Sequence, residues 1–172
     1  SASSVTPFVR GALAAARENR VATVLVTCAP GPGTKGLADT VVAIATGPEV
    51  LTGSTRLKAG SATKAVLNAM TTAAMVKLGK AYENLMVDVR PNSAKLRDRS
   101  RRIVAAAARV PDARAQDLLG AAGGEVKTAI VMGRLGLPPA AARARLQSAQ
   151  GHVRRALDGS HPPSRARNRK RS

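Results

Sequence analysis

A chain of 172 residues has the length of about one ordinary domain, enough for one core and too little for two large ones. Alanine supplies much of the apolar content and the only aromatics are Phe8 and Tyr82, so helices packed through small side chains are expected and base-stacking platforms are not. The formal charge of +18 raises a polyanion as partner. However, Arg165, Arg167, Arg169, Lys170 and Arg171 fall in a Pro- and Ser-containing tail, and Arg97, Arg99, Arg101 and Arg102 fall on one predicted helix. The charge therefore reads mainly as solvated surface, with nonspecific nucleic-acid binding by the tail as the lesser reading.

The chain opens on Ser1-Ala2-Ser3-Ser4-Val5-Thr6-Pro7, four hydroxyls ahead of a helix that Pro7 starts and that runs to about Asn19, with Phe8, Leu13 and the alanines on its inner side. Hydroxyls in that place suit an anion, although serine-rich termini are more often merely disordered. Val21 to Cys28 follows as a nearly continuous apolar run, the pattern of a parallel strand covered on both faces. Cys28 is the only cysteine, which excludes an intrachain disulfide, and His152 and His161 lie too far along the chain to suggest a paired thiol. After Pro/Gly punctuation at 29–36 and a short helical turn to Thr40, Val41 to Thr46 makes a second strand. Strand, short helix, strand implies a βαβ unit with ligands at the carboxyl ends of its strands.

Gly47 to Gly60 is the densest stretch. Glu49, Thr52, Ser54, Thr55, Arg56 and Lys58 gather where a long helix, about Thr55 to Ala81, leaves its unpaired N–H groups. An anion such as phosphate fits there. The plain alternative is that Ser54 or Thr55 is an N-cap, with Arg56 and Lys58 as solvated cations. Leu67, Met70, Ala74 and Leu78, widened by Val66, Ala69, Ala73 and Val76, predict a helix buried on most sides, under a sheet or at a subunit interface. Its polar stripe of Ser61, Lys64, Asn68 and Thr71 or Thr72 suits a solvated edge and a site-facing role equally.

Leu85 to Val89 leads into Arg90-Pro91, and Asn92 or Ser93 caps a helix to about Arg109. Three helical pieces follow, at about 112–121, 126–135 and 139–157, separated by Gly123-Gly124 and Leu137-Pro138-Pro139. Residues after about Gly159 are expected to be disordered. No apolar run reaches the length of a membrane-spanning helix, and a cytoplasmic location is expected.

The run GPEVLTGSTRLKAGSATKAVLNAMTTAAMVKLGKAYENLMVDV resembles the C-terminal half of the N-acetylmuramic acid 6-phosphate etherases of the sugar isomerase (SIS) superfamily, and GGEVKTAIVM resembles their later helical segment. Ser1, Ser3 and Thr6 match the hydroxyls of the superfamily's Ser-x-Ser-Gly-x-Thr phosphate loop, and Pro7 matches the etherase form, while Ser4 and Val5 depart from its Gly and Arg. The resemblance implies an α/β fold. Residues 1–110 would form part of a three-layer parallel sheet with flanking helices, 111–158 a small helical module and 159–172 a basic tail. It also implies a sugar phosphate held by Ser1, Ser3, Thr6, Glu49, Thr52, Ser54 and Thr55, with Arg56 and Lys58 as further anion contacts, a homodimer, and no metal or other cofactor. The family's reaction is elimination of D-lactate followed by addition of water, moved by two glutamates. Neither matches Glu18, Glu49, Glu83 or Glu125, so the catalytic pair is expected upstream of Ser1, with this chain incomplete and inactive by itself. A sugar-phosphate-responsive regulatory protein is the alternative expectation.

Overall fold

The run after Thr23 forms strand β1 (Val24–Thr27), and it pairs in parallel with β2 (Thr40–Ala43) in the register Val24 with Thr40 through Thr27 with Ala43. In this computed structural model, which describes residues 1–89 and 91–159, the chain divides into two units, Ser1–Thr72 and a second beginning at Ala73. Apart from Gly159, the predicted basic tail lies outside the described residues.

In the first unit the start of the strand pair is tied by side chains. The Asp39 carboxylate accepts from the Thr23 amide at 2.7 Å and the Thr23 hydroxyl at 2.8 Å, and that hydroxyl accepts from the Asp39 amide at 3.0 Å. These bonds hold the Asp39 carboxyl below the usual carboxylate range. On the other side of β1 the Ser1 amine donates to the Val26 carbonyl at 2.9 Å and the Cys28 amide donates to the Ala2 carbonyl at 3.0 Å. Thus β1 is bonded along both sides, and Leu25, Val26 and Thr27 are buried. Both strands are shorter than the apolar runs predict. The cover on both faces expected of the first run holds for Leu25, Val26 and Thr27 but not for the exposed Val24, and Val41 and Ala43 of β2 are exposed as well.

Helix α1 (Pro7–Glu18) begins at Pro7 as expected, but it buries no residue and Phe8 is 83% exposed, which overturns the inner placement of that ring. Its attachments are polar instead: the Arg10 guanidinium donates to the Gly33 carbonyl and that of Arg17 to the Gly36 carbonyl. Between the strands the short turn lies at Pro32–Thr34, earlier than expected, where the Thr34 hydroxyl donates to the Gly31 carbonyl at 2.7 Å. Helix α2 (Lys58–Lys77) also departs from its prediction. Only Ala59 is buried, whereas Leu67, Met70, Val76 and Leu78 of the apolar stripe are exposed, as is the polar stripe. Most of its length therefore offers apolar surface that the sequence places inside.

The second unit holds the large core. A hairpin of β3 (Ala81–Tyr82) and β4 (Leu85–Met86) turns at Glu83, whose φ is 52°, and replaces the last residues of the long predicted helix. Helix α3 (Ala94–Ala108) has Ser93 as N-cap, its hydroxyl accepting from the Leu96 amide. Helices α4 (Asp112–Ala121) and α5 (Val126–Leu135) match their predicted limits. The third expected piece is two helices, α6 (Pro139–Ser148) and α7 (Val153–Asp158), parted where Gln150 and Gly151 take φ of 53° and 77°. Helix α5 packs against α3, α4, α6 and α7, with Val126, Ala129, Ile130 and Val131 at most 2% exposed. A glycine permits this approach: a Cβ on Gly133 would come within 2.8 Å of Ala108 Cβ. Because α3 shares this core with α4 and α5, the division falls inside α2 after Thr72, and not after Val110 as the change of texture suggests. Arg97, Arg99 and Arg102 are solvated as expected, and Arg101 bridges Asp98 and Asp112.

Candidate functional site

Elementary chemistry gathers the hydroxyl loop at the carboxyl end of β1. Once Ser1 and Ala2 are bonded along that strand, the chain must reverse to start α1, and it does so through Ser4, whose φ of 61° is the left-handed conformation favoured by glycine. The reversal brings Ser1 Oγ to 3.1 Å from Thr6 Oγ1 and lets the Ser4 amide donate to Ser1 Oγ at 3.2 Å. Ser3 is exposed, Val5 is 67% exposed, and Thr6 is the N-cap residue of α1 without spending its hydroxyl on the helix. The Ser4 side chain turns away into the protein and donates to Thr27 Oγ1 at 2.5 Å. Thr27 Oγ1 also accepts from the Ala29 amide and donates to the Ala2 carbonyl, so its capacity is filled. Thr27 was not singled out by sequence, where a threonine closing an apolar run is simply a good strand former.

The second stretch is organised by its glutamate. Gly47, with φ of 65°, bends the chain after the strand, and Gly53, with φ of 82°, bends it again, with the Ser54 amide donating to the Leu51 carbonyl. These bends carry Glu49 to the start of α2. Its two carboxylate oxygens accept from the Lys58 and Ala59 amides, each at 2.9 Å. The Ala59 bond, then the Lys58 bond, holds the Glu49 carboxyl below the ordinary glutamate range. This corrects the expectation of an open anion cradle on those amides: the anion at the helix start is the chain's own carboxylate. Thr52, Thr55, Arg56 and Lys58 are exposed and Ser54 is half-buried, so these side chains remain at the surface around the capped turn.

Both stretches reach the same strand end. Thr27 holds the Ser1–Thr6 loop, and the half-buried Cys28 thiol next to it lies 3.8 Å from the Ala59 carbonyl and 3.8 Å from Thr63 Oγ1 of α2. No group of three or more His, Cys, Asp or Glu side chains suited to a metal occurs among the described residues. No helix among them is long and apolar enough to cross a membrane.

These features define a mixed α/β protein whose polar loops collect at the carboxyl end of a parallel strand pair. The chain is homologous to one half of the N-acetylmuramic acid 6-phosphate etherases. It is 52% identical over 163 residues to the protein of that name from Rubrobacter xylanophilus, covering 95% of this chain and 54% of that protein. It is 48% identical over 157 residues to those of Deinococcus radiodurans and Mycolicibacterium smegmatis, covering 91% of this chain and 52% and 53% of theirs. The chain spans about half the length of the curated relatives it matches. No protein-family model matches it.

Proposed function

We propose that this chain is the C-terminal, sugar-phosphate-binding half of an N-acetylmuramic acid 6-phosphate etherase, a cytoplasmic, homodimeric carbon–oxygen lyase of amino-sugar recycling with an SIS-type sheet. The reaction releases D-lactate and N-acetylglucosamine 6-phosphate. The observation that carries this reading is identity near one half across more than nine-tenths of the chain with proteins of that name. The Ser1, Ser3 and Thr6 hydroxyls receive the phosphate, and Thr52, Ser54, Thr55, Arg56 and Lys58 border the sugar. The convergence of Ser1 Oγ and Thr6 Oγ1 supports this, because two hydroxyls at 3.1 Å can both turn their protons toward one phosphate. Glu49 is a positioning residue: it fixes the start of α2 and the turn before it. The proton at carbon 2 and the departing lactate are handled by the family's two glutamates, supplied by the other half of the protein.

A regulatory sugar-phosphate binder is the second reading. One observation favours it: the only glutamate of the ligand-bearing turns, Glu49, has both oxygens spent on backbone amides. The test is an intact mass of the protein made from its native locus, with lactate release from N-acetylmuramic acid 6-phosphate assayed on the same sample. A mass well above that of the 172-residue chain together with lactate release upholds the etherase. Ligand-induced stabilisation without turnover replaces it with the regulator.

A further inference from the structure

The second unit contains a cleft of about 950 Å³ between the segment that follows β4 and the start of α5, closed at one side by α6. Its lining includes the buried Val87, Val89, Val126 and Leu146, which give it apolar walls. Its charges are unevenly matched. At one end Arg143 is matched by one carboxylate, donating to Glu125 at 2.9 Å, and it also donates to the Ala122 carbonyl at 3.0 Å. At the other, two ammonium groups share one carboxylate: Lys80 Nζ lies 2.6 Å from Asp88, and Lys127 Nζ lies 3.4 Å from the other oxygen of the same group. Lys127 is the informative member. Its side chain is only 19% exposed, yet its carboxylate partner stands well beyond the ~2.7–2.9 Å of a charge-assisted hydrogen bond. With no closer acceptor among the described residues, its ammonium donors are left to solvent or a ligand, and Lys80, Lys127 and Asp88 together carry one positive charge in excess.

We propose that this cleft binds a small organic anion, with a phosphate or carboxylate group on the Lys127 and Lys80 ammonium groups and its carbon skeleton against the valine and leucine walls. The apolar lining selects an organic anion over a bare inorganic one, and the lysine pair rejects a neutral molecule of the same size. The site stands on the second unit alone and does not depend on the etherase reading.

Amide resonances of the full 172-residue chain are followed by NMR at constant ionic strength. The titrants are glycerol 1-phosphate, D-lactate and, as uncharged control, glycerol. The expected result is saturable shifts at Lys80, Val126, Lys127 and Thr128 with at least one of the two anions and none with glycerol; which anion saturates identifies the headgroup. Lys127→Met keeps the stem and removes the charge, and is expected to weaken binding about tenfold, the scale of one charge-assisted hydrogen bond. Lys80→Met, at a more exposed position, is expected to weaken it about threefold, and it serves as the deciding variant if Lys127→Met does not fold. Shifts that never saturate, that spread over the arginines of α3, or that persist in the charge-removing variant overturn the proposal.

Discussion

Ser4 offers a direct test of how the hydroxyl loop is held. Its backbone is left-handed, at a cost of about 1–2 kcal/mol for a residue with a Cβ, and its hydroxyl donates to Thr27 at 2.5 Å, a buried bond contributing about 1 kcal/mol. Ser4→Gly recovers the strain, loses the bond, and adds about 0.5–1 kcal/mol of unfolded-state entropy, so its net effect is near zero. Ser4→Ala keeps the strain and loses the bond. It leaves no orphan, because Thr27 Oγ1 retains the Ala29 amide and the Ala2 carbonyl. Alanine is therefore expected to be less stable than glycine by about 1 kcal/mol, roughly a fivefold difference in opening. Native-state hydrogen exchange at the Cys28 amide, which donates to the Ala2 carbonyl, reads this within the first unit. If the alanine variant is as protected as the glycine variant, the left-handed backbone at residue 4 carries no such strain, and if it is as protected as the wild type, the Ser4–Thr27 bond does not hold the loop.

Three other outcomes follow from the same geometry. Glu49→Gln offers one carbonyl oxygen to two amides, so Lys58 and Ala59 should exchange faster; in the wild type this protection should be full above the unfolded glutamate value near 4.5 and be lost as pH falls through the lowered folded value. If exchange there is unchanged by the substitution, Glu49 is not the cap. Gly133→Ala should destabilise the second unit by about 1 kcal/mol in denaturant unfolding: about 1 kcal/mol of helix propensity is gained, but relieving a 2.8 Å contact with the backbone-borne Ala108 Cβ costs about 1–3 kcal/mol. A stabilised variant would mean that α3 and α5 separate freely. His152 packs its ring on the buried Gly79, and burial, then Arg155 and Lys127, holds its pKa below 6.5. The unfolded chain then binds more protons, so stability of the second unit should be full above about pH 6.5 and decline below it. His152→Gln should flatten that slope in a pH series of denaturant melts, and an unaltered slope would sink the assignment.

Much of the second unit is legible in sequence because its signals are local. Ser93 before an apolar-periodic run gives a cap, and the Gly and Pro punctuation around 112–135 gives both ends of α4 and α5. The hairpin at Tyr82 is not legible, since its turn uses Glu83 at positive φ without the glycine that advertises such turns. Gly151 ends α6 within a run whose alanines and arginines favour helix on either side. In the first unit the gathering of hydroxyls and of Glu49 is visible. Which of them serves the fold is not, because Glu49 caps amides 9 and 10 residues away and Ser4 bonds a residue 23 positions on. Nor does apolar periodicity reveal that most of α2 lies exposed in the isolated chain, since a pattern records that a face is apolar and not what covers it.

The Thr23–Asp39 ties bear on the order in which the first unit is assembled. They close a loop of only 16 residues at the origin of both strands, so the entropy lost in bringing the strands together is small compared with that of a distant pairing. They also fix which residue of β2 faces which residue of β1, and a slip by one would turn Leu25 and Thr27 to the opposite face. The strand pair can therefore form early and in register from its own short stretch of chain, as a low-contact-order nucleus on which the hydroxyl loop and the start of α2 condense afterwards.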